Sequence, residues 1–473
     1  MPNGTAANAA PDPATPARKP TPARLFFEYL KISAFVVGGG YAIIAVADEV
    51  FGRRLRWLRE GELVDRLPVF QMVPGLIAGN SAIYVGLKLF GLAGAATALA
   101  AVALPSFCII LAVARGYSWL PMDSQILQGV FLGLRSALAG VVAATLVSSW
   151  RRTMRGAYAW IALPAGVAAM ECFGANPAHV LVAGMLFGVA WTCGRAALGR
   201  LPPPAEDAGA GEGAVFAERP IARGLFVAAL ASAAVAACAP AVFATFAKFG
   251  LLCFGGGNVL VPVYIREFVG PDAPHLQLPA EDFGNLLAIT QMTPGPISVN
   301  AATFFGYRME GAPGSLVATA GLLAPSFFLL ALALRSLAKW RRNPVVRGLL
   351  WGVAPATVAL MVVATLVFAR MSVFVEGTWS LESVWRAACG VLVVDGAAAD
   401  NLLVRPLPLL LAAGAGLALR ARKAHVTTLI LACAAVGALL PRAIAWAPAG
   451  AATALFWAGA LALLARAVAR AVR

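Results

Sequence analysis

Long apolar segments separated by short polar ones dominate this sequence. Each is about as long as a helix that crosses a bilayer, roughly 17 to 25 residues. These segments cover residues 92–114, 126–149, 176–194, 311–334, 348–369, 426–440 and 446–465. The pattern predicts an all-α polytopic membrane protein.

Glycine triplets interrupt two further apolar stretches. The first stretch, 25–51, is cut into pieces of about 11 to 13 residues, which as helix are only about 16 to 20 Å long. Such pieces are too short to cross about 30 Å of hydrocarbon. The triplets are Gly38, Gly39 and Gly40 in the first stretch and Gly255, Gly256 and Gly257 in the second. We therefore predict broken or re-entrant helices at both places.

A second pattern occurs twice, at an offset of 220 positions. It begins with Gln-Met-x-Pro-Gly and continues through an asparagine, three spaced glycines and Pro-Ser-Phe. In the first copy these are Gln71, Pro74, Gly75, Asn80, Gly86, Gly91, Gly94 and Pro105-Ser106-Phe107. In the second they are Gln291, Pro294, Gly295, Asn300, Gly306, Gly311, Gly314 and Pro325-Ser326-Phe327. The chain therefore contains an internal duplication.

Basic residues are distributed oppositely in the two copies. Loop 52–66 carries five arginines, whereas its counterpart, 266–282, has one arginine among acids. The next pair reverses this bias, because 115–125 has one arginine and 335–347 has five basic residues. Under the positive-inside rule, equivalent points then lie on opposite membrane faces. We predict two inverted-topology repeats with about ten full spans and both termini inside.

This interpretation divides the chain into five parts. They are a disordered cytoplasmic tail at 1–24, a first repeat at 25–197, a polar linker at 198–220, an extra membrane helix at 221–241 and a second repeat with C-terminal helices at 242–473. An odd extra helix would allow a duplicated unit to invert.

Composition agrees with a membrane protein and disfavours other classes. Hydrophobic residues make up 60% of the chain, charged residues 12%, and the mean hydropathy is +0.80. The net charge of +15 comes from Lys and Arg at the ends of apolar runs, so we expect no nucleic-acid partner. The seven cysteines and three histidines lack the spacing of a metal site. We therefore expect that the protein binds no cofactor and is not an enzyme.

Helix breaks at membrane depth predict a binding site. Non-helical backbone survives there only where it is buried in protein or lines a polar cavity. Helices that begin near 41, 75, 258 and 295 would direct free N–H groups and about half a positive charge each toward a shared point. Four such ends suit a dianion. The alternative is close helix packing, which we prefer for the glycine pairs Gly129-Gly133 and Gly348-Gly352.

Several polar side chains beside the breaks are candidates for the same site. Lys31 and Lys248 each precede a glycine triplet by seven residues, and either they bind an anion or they extend to the membrane interface. The amides of Gln71, Asn80, Gln291 and Asn300 would either donate to an oxyanion or join helices. Ser106 and Ser326 follow prolines, and we interpret them first as helix caps.

These motifs together resemble the chromate transporter family in its long, two-domain form. The resemblance covers about 25–200 and 242–440 and depends on the triplets, Gln-Met-x-Pro-Gly, the spaced glycines and Pro-Ser-Phe. It implies transport of chromate, a tetrahedral dianion similar in shape to sulfate, usually as efflux that confers resistance. The two copies differ where Leu76 stands opposite Pro296 and where Val36-Val37 stands opposite Cys253-Phe254. This inequality predicts an asymmetric site.

We expect the chain to lie in the bacterial inner membrane, in contact with the lipid bilayer. A dianion leaving an inside-negative cell gains about 4.6 kcal/mol per 100 mV, which favours export. The alternatives are a transporter or a passive channel for sulfate or another small anion. The sequence leaves a homodimer open.

Overall fold

The computed structural model describes residues 19–36, 39–121, 123–154, 157–198, 222–340, 343–372, 406–420 and 429–436. Gly38 and the predicted span 446–465 lie outside these ranges, as do seven of the fifteen residues of 426–440. The described chain is helical apart from short connections and one isolated β-bridge between Val269 and Leu278.

Helices in the first copy are α1 (Pro22–Phe35), α2 (Gly40–Asp48), α3 (Glu62–Asp65), α4 (Leu67–Met72), α5 (Ile77–Tyr117), α6 (Gln125–Thr153), α7 (Ala157–Phe173) and α8 (Pro177–Ala197). A π-helical turn, Glu49–Arg54, extends α2. Those that follow are α9 (Ala222–Cys238), α10 (Pro240–Leu252), α11 (Val261–Phe268), α12 (Ala280–Met292), α13 (Ile297–Trp340), α14 (Pro344–Ser372) and α15 (Pro406–Arg420). A 3-10 turn, Gly257–Leu260, leads into α11, and residues 429–436 are helical.

Five described helices are long and apolar enough to cross a membrane. They are α5, α6, α8, α13 and α14. Each covers one of the predicted spans between 92 and 369 to within one residue. Those five helical predictions are therefore confirmed.

Helix α5 is a hairpin of two helical arms. At Gly91 the backbone leaves the helical region, with φ 69° and ψ −153°. A methyl group at Gly86 would lie 2.3 Å from the carbonyl oxygen of Gly94, although eight residues of straight helix span about 12 Å. The two arms therefore run antiparallel with their backbones in contact. The first arm, 77–90, is only about 21 Å long, too short to span the hydrocarbon.

Helix α13 repeats this hairpin in the second copy. Its backbone breaks at Gly311, with φ 63° and ψ −150°. The hydroxyls of Thr303 and Thr319 lie 2.9 Å apart across the two arms, which a straight helix would not allow. The spaced glycines of the sequence pattern are thus explained. In each copy the middle glycine forms the bend, and the two outer glycines bring the backbones of the two arms into contact.

The glycine triplets interrupt their helices as predicted, in the part of the chain that the structure describes. Helix α1 ends at Phe35 and α2 begins at Gly40, while α10 ends at Leu252 and the 3-10 turn begins at Gly257. Gly39, Gly255 and Gly256 have φ of 76°, 77° and 118°, a region that other L residues rarely adopt.

The two copies share their hydrophobic cores. One core contains residues of α1, α2 and the α5 hairpin together with Phe327, Leu330 and Leu334 from the second arm of α13. The other core contains most of the second copy together with Ile110 of α5 and Leu138 of α6. The long arm of each hairpin therefore packs into the other copy's core. This exchange places the helix breaks of both copies at one interface.

Close packing explains the remaining glycine pairs that the structure describes. A methyl group at Gly352 would lie 2.2 Å from the carbonyl oxygen of Gly184, so α14 and α8 touch through their backbones. A methyl group at Gly133 would lie 2.1 Å from the carbonyl oxygen of Cys433. The packing interpretation is confirmed at both positions.

Candidate anion site between the two copies

Both glycine triplets line a single cavity. Its volume is about 180 Å³, well above the space that one water molecule needs. The lining glycines are Gly39, Gly40, Gly255, Gly256 and Gly257. The other lining residues are Tyr41, Ile77, Val141, Thr145, Asn258, Gln291, Ile297 and Met361. Six of the predicted site residues, five glycines and Gln291, are thus brought together.

Four helical segments begin at this cavity. Gly40, Gly257, Ile77 and Ile297 are the first residues of α2, the 3-10 turn, α5 and α13, and all four line it. The first N–H groups of a helix have no acceptor within the helix. No side-chain oxygen caps α2, α5 or the 3-10 turn. The cavity is therefore bordered by backbone donors and by the positive ends of helix dipoles.

Two side chains that the sequence analysis missed add polar groups to the lining. The amide nitrogen of Gln71 donates to the hydroxyl of Tyr41 over 2.8 Å, and that of Gln291 donates to Oδ1 of Asn258. Tyr41 and Asn258 each follow the last glycine of a triplet. Because the two residues occupy equivalent positions in the two copies, the sequence repeat could have identified both as candidate site residues. The pair also makes the cavity asymmetric, because the first copy contributes a phenol where the second contributes a carboxamide.

The Pro-Gly motifs join the two copies reciprocally. The backbone N–H of Gly75 donates to the carbonyl of Cys253 over 2.7 Å, and that of Gly295 donates to the carbonyl of Val36 over 3.3 Å. Val36 and Cys253 both lie two residues before their triplets. Each contact therefore recurs with the copies exchanged, as in an isologous interface. Pro74, Gly75, Pro294 and Gly295 do not line the cavity, but they hold its two sides together.

Ser106 and Ser326 belong to this interface, and their interpretation as helix caps was wrong. Both lie inside long helices, next to Pro105 and Pro325. The hydroxyl of Ser106 donates to the carbonyl of Pro294 in the other copy over 3.2 Å. Both serines are fully buried.

Asn80 and Asn300 close the two helix breaks from within. Nδ2 of Asn80 donates to the carbonyls of Phe70 and Val73 over 2.9 and 3.1 Å. Nδ2 of Asn300 makes the same pair of bonds, to the carbonyls of Thr290 and Thr293. Both side chains are fully buried and neither lines the cavity. They fix the backbone shape from which α5 and α13 begin.

The two lysines lie away from the cavity. Lys31 is exposed. Lys248 is 46% exposed and forms an ion pair with the buried Glu267, whose second carboxylate oxygen lies 3.5 Å from Nε2 of His275. Of the two interpretations, this geometry supports an interfacial role for Lys248. The residues that line the cavity carry no formal charge, so any attraction for an anion must come from neutral donors and helix dipoles.

Comparison with known proteins identifies the family. The family model described as chromate transporter matches residues 23–189 and 240–439. The chain belongs to the chromate transporter family. This confirms the resemblance in its two-region form, and a transporter family agrees with the expectation that the protein is not an enzyme.

Two chromate transport proteins align over most of this chromate transporter family member, and a third relative aligns over about a quarter of it. A chromate transport protein of Cupriavidus metallidurans is 24% identical over 81% of this chain and 93% of its own length. A chromate transport protein of Pseudomonas aeruginosa is 26% identical over 78% of this chain and 89% of its own length. An uncharacterized transporter of Bacillus subtilis is 32% identical over 26% of this chain and 68% of its own length. No solved structure matches.

Proposed function

We propose that the chain is an inner-membrane transporter that exports a tetrahedral dianion, chromate first, with sulfate as the competing or exchanged anion. The single observation that carries this proposal is the cavity between the copies, where the breaks of both glycine triplets and the beginnings of α5 and α13 meet. Membership of the chromate transporter family supports the choice of anion.

Backbone amides would provide most of the binding energy. Each helix N-terminus is equivalent to about half a positive charge, so four amount to about +2, which complements a dianion. Gly39, Gly40, Gly256 and Gly257 have no side chain to keep an oxygen of the ligand away from these N–H groups. Gln291, Tyr41 and Asn258 would add side-chain donors from both copies. Lys31 and Lys248 are not part of the proposed site.

The two copies would rock against each other to give alternating access. The reciprocal contacts of Gly75 and Gly295 support a two-fold relation between the copies. The opposite charge bias of their loops supports placing that axis in the membrane plane, which gives inverted repeats and about ten spans in the whole chain. A cavity on such an axis would open alternately to each side while its lining residues remain the same.

The membrane potential supports export as the direction of transport. One-for-one exchange with sulfate moves no net charge and depends on the sulfate gradient instead, but a dianion that leaves an inside-negative cell alone releases about 4.6 kcal/mol per 100 mV, so its export needs no other driving force. Uptake would require co-transported cations. Resistance to chromate would follow directly from export.

Flux measurements on reconstituted protein test the proposal. Vesicles containing the purified, folded protein should take up labelled chromate with saturable kinetics, sulfate should compete, and internal sulfate should accelerate uptake by exchange. Flux that rises linearly with chromate and shows no exchange would instead indicate a channel. The absence of protein-dependent flux of either anion would overturn the proposal.

A further inference from the structure

No carboxylate borders the cavity in the part of the chain that the structure describes. The polar side chains of its lining all belong to neutral residues, namely Tyr41, Thr145, Asn258 and Gln291. Oxyanions of the same shape and charge differ in their need for an acceptor. Sulfate and chromate accept hydrogen bonds at every oxygen, whereas hydrogen phosphate and hydrogen arsenate each carry an O–H group that must donate. Such a proton binds most strongly to a charged acceptor, which this lining does not supply.

The side chain of Asn258 is left with donors for a ligand, because Gln291 occupies its oxygen. Nε2 of Gln291 donates to Oδ1 of Asn258. The remaining group of the Asn258 amide is Nδ2, which carries two N–H donors. Asn258 and Gln291 are only 8% and 4% exposed, so water competes poorly for these groups. Gln291 therefore acts as a positioning residue that fixes the direction of the Asn258 amide.

Two carbonyl groups of the glycine triplets are already engaged in hydrogen bonds. The carbonyl of Gly39 accepts from the N–H of Ile43, and that of Gly256 accepts from the N–H of Val259, both over 3.3 Å. These bonds belong to the helical turns that begin at the cavity, where the first N–H groups have no acceptor within the helix. The backbone therefore adds donors to the same space as the Asn258 amide.

The side-chain acceptors in the described lining are weak. The hydroxyl of Thr145 donates to the carbonyl of Val141 over 2.9 Å, so its oxygen can only accept from a ligand. The carboxamide oxygen of Gln291 is also neutral, and hydrogen bonds between neutral groups are about half as strong as those with a charged partner. An O–H group of the ligand therefore gains little from them. Where it points at Nδ2 of Asn258, both donors are left without an acceptor.

We propose that Asn258, positioned by Gln291, makes the cavity select tetrahedral dianions without a proton, such as sulfate, selenate and chromate, over hydrogen phosphate and hydrogen arsenate. This selectivity concerns the proposed anion site and so rests on the proposed function. Charge and shape do not separate these ions, so the discrimination comes from the opposition of two donors. A buried donor without a partner is costly, and the protonated ions should bind at least about tenfold more weakly, equivalent to about 1.4 kcal/mol.

Displacement of labelled sulfate from the full chain in lipid nanodiscs tests this selectivity. The measurement is made at a weakly alkaline pH, where phosphate and arsenate also carry two negative charges. Sulfate and phosphate form one pair of similar size, and selenate and arsenate form another. Within each pair, the ion without a proton should displace the label at a concentration at least about tenfold lower. Equal displacement by the two members of either pair would overturn the proposal.

Asn258→Asp changes the character of the side chain without changing its size. The carboxylate still accepts from Gln291, but it places an acceptor where Nδ2 was. Sulfate affinity should fall at least about a hundredfold, and the preference for sulfate over phosphate should disappear. Asn176→Asp is the matched control, because Asn176 caps α8 by accepting from the N–H of Ala178 over 3.0 Å, a role that Asp performs equally well. It should retain both the affinity and the preference.

A milder variant keeps the test decisive if Asn258→Asp does not fold. Asn258→Leu removes the donor without adding a charge, so the preference for sulfate over phosphate should fall severalfold together with the sulfate affinity. An unchanged preference in a folded Asn258 variant would overturn the role of this residue. If the unmodified protein binds no sulfate at all, the proposed function fails. If it binds sulfate and phosphate equally, only the selectivity fails.

Discussion

The backbone N–H of Gly75 donates a 2.7 Å hydrogen bond to the carbonyl of Cys253, two residues before the second glycine triplet. This bond connects the Pro-Gly break of one copy with the broken helix of the other. Gly295 and Val36 make the equivalent contact. The duplicated motifs therefore act on each other across the interface, and the first predictions concern that interface.

Replacement of Gly75 should disrupt the interface. In Gly75→Ala the residue would keep a φ of 125°, and its methyl group would overlap Ser326. We expect a loss of about 3 kcal/mol or more, the sum of backbone strain and overpacking. The measurement is thermal unfolding in nanodiscs, followed by tryptophan fluorescence.

Gly61→Ala is the control for the strain alone. Gly61 also has a positive φ, 78°, but no atom within 4 Å of the added methyl group. It should cost only about 1 kcal/mol. Equal destabilisation by the two variants would contradict the proposed contact between the copies.

The hairpin glycines should tolerate no side chain. A methyl group at Gly94 would lie 2.5 Å from the carbonyl oxygen of Gly86, so Gly94→Val should separate the arms of α5 and reduce the yield of folded protein severalfold. Gly116→Ala, in the same helix with nothing within 4 Å, should be neutral or stabilising by up to about 1 kcal/mol. Size-exclusion profiles of both variants provide the measurement. A normal profile for Gly94→Val would argue against the hairpin.

Removal of the charge at Lys248 should affect stability and not anion binding. Its ammonium pairs with Glu267, which is only 7% exposed, and lies outside the cavity lining. Lys248→Gln should lower stability by about 1 kcal/mol, because the exposed lysine contributes modestly. Lys31→Gln should change neither property. Chromate flux measured on both variants checks this. A loss of flux at normal protein level in either variant would show that its lysine belongs to the anion site.

Stability should fall in acid through Glu62. Burial of this carboxyl opposes its ionisation, but hydrogen bonds from Lys88, Tyr84 and the backbone N–H of Arg59 hold its pKa below the ordinary 4.5. A lowered folded-state pKa gives stability that is present above pH 4.5 and is lost as the pH falls through the lower value.

Glu62→Gln should therefore be less stable at pH 7 by about 1 to 3 kcal/mol, because the charged hydrogen bonds from Lys88 and Tyr84 are weakened. Its stability should also depend less on pH below 4.5. Melting temperatures of both proteins between pH 3 and 7 would show this. Parallel pH curves for the two proteins would mean that another group controls the acid transition.

The sequence predicted the helix breaks correctly because they depend on local chemistry. Glycine triplets and Pro-Gly interrupt a helix wherever they occur, and the repeated offset showed that the two copies share these features. The five apolar spans followed from the length and apolar composition of the segments. These features can be predicted without knowing how the two copies pack.

The sequence predicted only six of the residues that line the cavity, because the rest of the lining depends on how the two copies exchange arms. Asn80 and Gln71 lie in the same motif, yet Asn80 closes its own helix break while Gln71 reaches Tyr41. Ser106 looked like a cap because its partner, Pro294, lies 188 residues away in the chain. Lys248 looked like an anion ligand because Glu267 lies on a different helix.

Neutral donors in the cavity should control affinity. Asn258→Leu removes a side-chain group that lines the cavity and accepts from Gln291, so it should weaken chromate binding about tenfold or more, equivalent to about 1.4 kcal/mol. Tyr41→Phe should have a smaller effect, because the phenol ring keeps its packing. The measurement is competition of chromate against labelled sulfate on purified protein.

The number of dianions bound per chain tests the central claim most directly. Two duplicated copies that share one cavity predict a single saturable site, so equilibrium binding of labelled sulfate to purified protein should reach one ion per chain, with Asn258→Leu and Gln291→Leu both weakening that same site. Saturation at two ions per chain, or binding that is indifferent to both substitutions, would contradict the account.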